Sequence, residues 1–74
     1  MSEEVELFKK ALGRRVAHLR KEKGFTQAEL GGMIDKDFQS ISRIEGGKVN
    51  PSAYLIWQIA KVLETDIENL FTDK

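Results

Sequence analysis

The stretch FTQAELGGMIDKDFQSISRIEGG, residues 25–47, contains two short apolar patterns separated by the polar turn DKD. Thr26 and Glu29 match the capping box, in which a hydroxyl and a carboxylate accept the free amide hydrogens at a helix start. Asp37 stands where it can cap a further helix over about residues 38–45, which two glycines then end. The stretch therefore predicts two short helices joined by a tight turn. The apolar positions of the first are Ala28, Leu30, Met33 and Ile34.

A longer helix is predicted before this stretch, from about Ser2 to Lys23. Ser2 can cap its start, and Gly24 supplies a left-handed stop. Gly13 lies in its middle, where a glycine costs roughly 0.5 to 1 kcal/mol relative to alanine. The apolar residues recur at intervals of three and four, which places them on one helix face: Val5, Phe8, Leu12, Val16 and Leu19.

Two more helices are predicted after the glycines. Ser52 can cap a fourth helix, and Thr65 with Glu68 repeats the capping box before a short fifth helix that ends near Phe71. The apolar face of the fourth helix is formed by Ala53, Ile56, Ile59, Ala60 and Leu63. Because no segment has a strand pattern, the predicted fold class is all-α with five helices.

Length and composition restrict the class of protein. With 74 residues the chain has room for one hydrophobic core, so residues 1–74 are predicted to form a single domain. The absence of cysteine excludes a disulfide framework and a thiolate metal site. No apolar run approaches the roughly 20 residues of a membrane span, so we expect a cytoplasmic protein without membrane association. His18 has no second histidine or obvious carboxylate partner, so no enzyme and no metal site are expected.

Charge is distributed unevenly along the chain although the formal net charge is zero. Residues 1–8 carry three acids and no base, whereas residues 9–23 carry seven bases and one acid. The first helix is therefore bipolar. A site for a polyanion would have to use this basic segment together with isolated cations such as Arg43 and Lys48.

Residues 13–71 resemble the phage-repressor and Cro-like helix-turn-helix domains, also called the XRE family. The most specific motifs are LRKEKGFTQAEL and QSISRIEGGKVNPS, in which the arginine, the glycine, Thr-Gln and the later Ile-Glu-Gly stand in family order and spacing. The resemblance implies a five-helix, lambda-repressor-like bundle whose third helix lies in the DNA major groove. Residues 1–12 are predicted to form a helical extension before the matching segment.

The resemblance also implies roles for individual residues. Arg20 and Glu45 match a structural ion pair that joins the first helix to the end of the third. Positions that contact bases in the family are occupied here by Phe38, Gln39 and Arg43. Positions that contact phosphate are occupied by Arg15, Thr26, Gln27, Lys48, Asn50 and Ser52. Without the resemblance, isolated cations such as Arg43 and Lys48 would be interpreted as solvated surface charges.

The dimensions of the third helix agree with this role. A helix of eight residues is about 12 Å long, which is comparable with a major groove about 12 Å wide. Ile41 and Ile44 are predicted to face inward, and Gln39, Ser42 and Arg43 outward. Amide and guanidinium groups form paired hydrogen bonds with adenine and guanine edges.

The chain departs from the family pattern at three places. Gly31 replaces the usual alanine under the turn, and Asp35 replaces the usual glycine in the turn, where it can adopt a left-handed conformation at some cost. Asp35 and Asp37 bring negative charge near the expected phosphate path. Phe38 replaces a polar residue, so it can contact a thymine methyl group but cannot hydrogen-bond a base.

We therefore predict a sequence-specific double-stranded DNA-binding transcriptional regulator, a repressor that needs no cofactor or small-molecule ligand. Two copies are predicted to bind an inverted-repeat operator as a homodimer. Trp57 and Phe71 are the candidate anchors of the dimer interface, because the chain has more large apolar residues than one small core requires. The apolar surplus consists of Trp57, Tyr54, Leu55, Val62 and Phe71. Periodicity leaves the alternative that these residues complete an irregular core.

A second functional interpretation stays open at this point. The near-neutral charge and the acidic turn also suit a protein-interaction module that keeps the same fold but binds another regulator. An antitoxin, a restriction-modification controller and a stand-alone regulator are all compatible with the sequence. Selection from random duplex DNA distinguishes DNA binding from the protein-interaction alternative.

Overall fold

The computed structural model describes residues 3–72 and contains four α-helices and one 3₁₀ helix. The α-helices are α1 (Glu3–Glu22), α2 (Gln27–Met33), α3 (Phe38–Glu45) and α4 (Ala53–Val62), and the 3₁₀ helix is Ile67–Leu70. Residues 3–72 contain no strand, so the all-helical prediction is confirmed. The prediction of five α-helices is wrong, because the last one is a single 3₁₀ turn.

The predicted helix starts inside the matching segment are confirmed by their hydrogen bonds. Thr26 Oγ1 accepts from Glu29 N at 3.0 Å and Glu29 Oε1 accepts from Thr26 N at 2.8 Å, which completes the capping box of α2. Asp37 caps α3 and Ser52 caps α4. Gly24 has φ +79°, the left-handed stop expected after α1. The proposed cap at Ser2 lies outside the described residues.

The second predicted capping box, Thr65 with Glu68, is wrong. Asp66 is the residue that precedes the 3₁₀ helix, and no side chain caps it. Thr65 Oγ1 instead accepts a hydrogen bond from Asn69 Nδ2 at 2.9 Å. A capping box requires the backbone of an α-helical first turn, whereas this segment closes i to i+3 bonds such as Asn69 N to Asp66 O.

The hydrophobic core lies between the carboxyl-terminal half of α1 and the other helices. Val5 and Phe8, predicted on the buried stripe of α1, are exposed because the amino-terminal half of the helix extends beyond the core. Met33 and Ala28 are exposed as well. The buried apolar residues are Leu12, Val16, Leu30, Ile34, Ile41, Ile44, Ile56, Ile59, Ala60, Leu63 and Leu70.

The apolar surplus divides between the core and the surface. Leu55 and Val62 pack against the core, as the irregular-core alternative proposed for the whole set. Tyr54, Trp57 and Phe71 remain exposed. Three of the five surplus residues therefore have an aromatic ring available for contacts with other molecules.

A buried polar network joins α1, α2 and α3, and we call it the Arg20–Glu45 lock. Arg20 Nε donates to Glu45 Oε2 at 2.6 Å and Arg20 Nη2 donates to Glu45 Oε1 at 3.0 Å. Arg20 Nη1 donates to the carbonyl oxygen of Phe25 at 2.7 Å, and Gln27 Nε2 donates to Glu45 Oε1 at 2.9 Å. Arg20 is only 8% exposed, and the hydrogen bond from its guanidinium to Glu45 raises its pKa above the ordinary value. The lock therefore fixes the end of α3 against α1 and the start of α2.

Gly13 is the point at which α1 and α3 come closest. A Cβ atom at this position would lie 2.4 Å from the carbonyl oxygen of Ile44 and 2.6 Å from that of Glu45. Both distances are far below contact distance, so the backbone of α3 occupies the space of a side chain. The glycine in the middle of α1 is therefore required by packing, and its helix-propensity cost is the smaller effect.

The lock can be tested by removing the guanidinium. Arg20→Ala leaves the Glu45 carboxylate without its charge partner in a buried site, and loss of one member of such a pair costs about 3 to 5 kcal/mol of unfolding free energy. Urea denaturation followed by circular dichroism measures this loss. Lys21→Ala, one residue along α1 and exposed, is the matched control and should change stability by less than about 0.5 kcal/mol. Equal unfolding midpoints for the two variants would show that the lock does not stabilise the fold.

The two helical glycines should respond to alanine with opposite signs. Gly13→Ala forces a methyl group onto the α3 backbone and is expected to destabilise the domain by about 1 to 3 kcal/mol. Gly32→Ala in α2 meets no atom within 4 Å and should stabilise it by roughly 0.5 to 1 kcal/mol through helix propensity. Thermal unfolding of both variants gives the comparison. A stabilising Gly13→Ala would mean that α1 and α3 are farther apart than described.

Candidate nucleic-acid interface

The outer face of α3 is polar and exposed, whereas its inner face is part of the core. Ile41 and Ile44 are buried, as the sequence predicts. One helix face away, Gln39, Ser42 and Arg43 are exposed. Phe38 at the start of α3 is exposed too, so a large apolar ring stands beside the polar groups.

Asp37 occupies the amino end of α3. Its Oδ1 atom accepts from Ser40 N and from Ser40 Oγ, both at 2.9 Å. The Ser40 amide lowers the pKa of this carboxyl most, followed by the Ser40 hydroxyl, and the charge of Arg43 contributes less. Asp37 is therefore ionised at neutral pH and covers amide hydrogens that a phosphate would otherwise contact.

The turn between α2 and α3 closes tightly over Gly31. Asp35 has φ +62°, which confirms the left-handed conformation expected of it. Lys36 N donates to the carbonyl oxygen of Gly31 at 2.7 Å. A Cβ atom on Gly31 would lie 2.9 Å from the carbonyl oxygens of both Lys36 and Asp37. The glycine that departs from the family pattern thus leaves room for the turn to lie close to α2.

The loop after α3 forms a cleft with the outer side of that helix. Lys48 N donates to the carbonyl oxygen of Arg43 at 2.9 Å, so the chain reverses directly behind the exposed arginine. The cleft has a volume of about 220 Å³ and is lined by Lys36, Ser40, Arg43, Ile44, Val49, Pro51 and Leu55. Lys36 and Arg43 thus place two cations along one cleft.

Sequence reasoning missed Lys36 as a candidate. The residue belongs to the DKD turn, which was noted only for its acids. Lys36 lines the cleft with Arg43 and also a second cleft with Ser52. Its place one residue before the α3 cap was the available signal, because that residue necessarily lies beside the exposed helix start.

The structure distributes the predicted phosphate-contacting residues unequally around α3. Thr26, Lys48, Asn50 and Ser52 are all exposed near the helix starts and the loop that border it, and Ser52 Oγ accepts from Leu55 N at 3.1 Å as the cap of α4. Gln27 is half-buried because its side-chain amide belongs to the Arg20–Glu45 lock.

Arg15 lies on another side of α1. Its Nε atom donates to the carbonyl oxygen of Asn69 at 2.9 Å, beside the 3₁₀ helix. Gly13, where α1 contacts α3, is two residues away from Arg15. Two residues correspond to about 200° around a helix, so Arg15 lies on nearly the opposite side of α1 from this contact. The structure does not bring Arg15 together with the other candidates.

The predicted dimer anchors, Trp57 and Phe71, are 49% and 48% exposed. The Trp57 ring stacks on Tyr54 with centroids 5.9 Å apart, and Lys61 Nζ lies 4.7 Å from the Trp57 centroid. The Phe71 ring stacks on Phe8 with centroids 5.9 Å apart. Both anchors are thus held by neighbours without being covered.

None of the helices between residues 3 and 72 is long and apolar enough to cross a membrane.

Comparison with known proteins identifies the family. A helix-turn-helix family profile matches residues 16–70. An uncharacterized HTH-type transcriptional regulator from Archaeoglobus fulgidus is 39% identical over 57 residues, which are 77% of this chain and 81% of the relative. An uncharacterized HTH-type transcriptional regulator from Sinorhizobium fredii is 33% identical over 64 residues, or 86% and 83% of the two chains.

A solved structure shares the fold over nearly the whole chain. The restriction-modification controller protein C.AhdI from Aeromonas hydrophila superposes with a TM-score of 0.87 and 26% identity, covering 93% of this chain and 100% of that one. The profile spans α2, the tight turn and α3, the elements that carry the polar outer face. The chain therefore belongs to the helix-turn-helix family of transcriptional regulators, of the phage-repressor and Cro-like (XRE) type.

Proposed function

We propose that the protein is a sequence-specific double-stranded DNA-binding regulator that reads the major groove with α3 and represses transcription as a homodimer. The observation that carries the proposal is the division of α3 into a buried face, held by the Arg20–Glu45 lock, and an exposed polar face. A reading helix needs both, because directional hydrogen bonds to bases require a rigid support. Repression follows when the bound dimer occupies a promoter.

The exposed side chains of α3 suit base edges. Arg43 can donate two hydrogen bonds to O6 and N7 of guanine, and Gln39 can pair in the same way with adenine. Phe38 can contact a thymine methyl group. Asp37 is ionised at the helix start, so it disfavours a phosphate there and leaves recognition to these side chains.

The backbone contacts are assigned to residues that border α3. Thr26, Lys48, Asn50 and Ser52 are the proposed phosphate contacts, and Lys36 is added to them because it lines the same cleft as Arg43. Gln27 is proposed to act from within the lock, where it braces α3 while its backbone lies at the α2 start. Arg15 lies on the side of α1 away from α3 and could contact phosphate only from there, so it is the least supported of the proposed phosphate contacts.

The alternative function is binding of another regulator on the same fold. The observation in its favour is the acidic turn, where Asp35 and Asp37 both precede the start of α3. The relative C.AhdI is a restriction-modification controller by name, and a controller, an antitoxin and a stand-alone repressor are all compatible with the proposed activity. No cofactor or small-molecule ligand is part of the proposal.

Selection from random duplex DNA tests the function and the base-reading role together. The wild-type protein should enrich an inverted repeat with half-site centres about 34 Å apart. Arg43→Ala should relax one base pair in each half-site at a cost of about 1 to 3 kcal/mol, whereas Lys48→Ala should weaken all sequences alike and keep the consensus. The second variant is the matched control, since both remove one exposed cation.

Three results would contradict parts of this proposal. Failure to enrich any sequence at low salt would favour the protein-interaction alternative. Enrichment of a direct repeat or a single half-site would exclude the two-fold dimer. Equal loss of affinity for all sequences in both variants would make Arg43 a phosphate contact.

The homodimer is proposed to involve Phe71 and Trp57. Phe71→Asp introduces a charge beside the exposed Phe8–Phe71 ring pair and should give a folded monomer that binds the full operator far less tightly but a single half-site almost normally. Analytical ultracentrifugation and binding titrations measure the two effects. Met33→Asp, at an equally exposed apolar residue of α2, is the control and should stay dimeric. A dimeric Phe71→Asp variant would place Phe71 outside the interface.

A further inference from the structure

The outer face of α1 near its amino end carries an apolar side chain between two opposite charges. Leu7 is 68% exposed, although it is a large aliphatic residue in a regular helix. Glu3, Glu6, Leu7 and Lys10 line one shallow cleft, so Glu3 and Lys10 share the face of Leu7. We call this surface, Glu3, Leu7 and Lys10, the α1 outer face. It is part of neither the core nor the outer face of α3.

The two charges of the α1 outer face have no partner within the described chain. Glu3 and Lys10 are seven residues apart, and two turns of helix separate them by about 10 Å along the axis, which is too far for an ion pair. In residues 3–72 the ion pairs involve other residues, among them the neighbouring Lys9 with Glu6. The stem of Lys10 is anchored, since a Cβ atom on Gly47 would lie 2.9 Å from Lys10 Cγ. Lys10 therefore packs beside the loop that follows α3.

The spacing of these residues is self-complementary in one orientation only. Along the axis, Glu3 lies about 6 Å to one side of Leu7 and Lys10 about 4.5 Å to the other, at 1.5 Å per residue. A two-fold axis near Leu7 reverses the helix, so Glu3 of one copy comes within about 1.5 Å of the level of Lys10 of the other. A parallel arrangement would instead place Glu3 beside Glu3.

We propose that the α1 outer face pairs antiparallel with the same face of a second copy. Leu7 packs near the two-fold axis against Leu7 of the second copy, and each Glu3 faces Lys10 across the interface. The inference rests on the proposed homodimer and specifies where and in which orientation the two copies meet. The bipolar charge of α1 then serves recognition between copies.

The area required by a stable dimer indicates how far the interface extends. A specific interface buries about 800 Å² per partner, roughly one sixth of the 4812 Å² of accessible surface of this chain. The face of one half-helix supplies only part of that area. Phe8 lies about 100° around α1 from Leu7, on the side away from Glu3 and Lys10. The Phe8–Phe71 rings, both about half exposed, therefore border the α1 outer face. The α1 outer face supplies orientation, and the aromatic pair supplies further apolar area.

Charge reversal distinguishes this arrangement from other dimers. In Glu3→Lys, the new lysine faces Lys10 of the second copy, and in Lys10→Glu, the new glutamate faces Glu3. Each contact occurs twice by symmetry, so each single variant should dimerise roughly tenfold more weakly than wild type. An equimolar mixture of the two single variants should form a heterodimer with near wild-type affinity, because both cross pairs are again opposite in charge. The double variant E3K/K10E should recover the homodimer for the same reason.

Sedimentation velocity at low salt, with one variant fluorescently labelled, measures these affinities, and circular dichroism checks that each variant is folded. Lys21→Glu changes the same charge on the same helix but lies three turns beyond the α1 outer face, so it should dimerise as wild type does. The proposal would be overturned if the single variants dimerise as tightly as wild type. It would also be overturned if both the mixture and the double variant still dimerise weakly.

DNA binding gives an independent readout. The single variants could dimerise weakly and recover dimerisation on mixing while the wild-type protein selects no duplex DNA. This result would support the antiparallel pairing and refute the proposed function. Conversely, the wild-type protein could enrich an inverted repeat while each charge variant dimerises as tightly as wild type. This result would support the proposed function and overturn the pairing.

Discussion

The structure depends on one buried carboxylate. Glu45, the last residue of α3, accepts two hydrogen bonds from Arg20 of α1 and a third from Gln27 at the start of α2. A buried ion pair is stable only when its remaining hydrogen-bonding groups are satisfied, and Arg20 uses its third nitrogen on the carbonyl oxygen of Phe25. The lock is possible because Gly13 lets the two helix backbones approach. The position of α3 is therefore set by its last residue.

How much was predictable depended on the range of the interaction. The caps of α2, α3 and α4 were predictable because a cap involves residues three apart. The same local rule failed at Thr65, because whether the backbone after it is α-helical or 3₁₀ depends on packing of the chain end. Gly13 looked like a weak point, since the sequence does not show that a carbonyl oxygen of α3 fills the space above it. Periodicity also placed Phe8 in the core, although α1 extends beyond the elements that bury it.

The candidate site shows the same division. The inward and outward residues of α3 followed from its 3.6-residue period, and the lock was anticipated only through the family resemblance. Lys36 was missed because its role depends on which loops approach α3 in space. Arg15 was placed with the other phosphate candidates through the family resemblance, whereas its side chain donates to the carbonyl oxygen of Asn69. The number of charged residues in a stretch of sequence therefore does not show whether their side chains lie together on one surface of the folded protein.

The lock and the exposed outer face of α3 share no side chain. Arg20, Gln27 and Glu45 hold α3 through the lock, whereas the side chains of Gln39, Ser42 and Arg43 are exposed on the other face of the helix. Substitutions of these exposed side chains are therefore expected to change the unfolding free energy little, and independently of substitutions in the lock. If α3 reads bases as proposed, a lineage of such proteins can acquire new operators by exchanging a few exposed residues while its unfolding free energy stays nearly constant. In this architecture, the recognition specificity of a regulator is free to drift within a conserved frame.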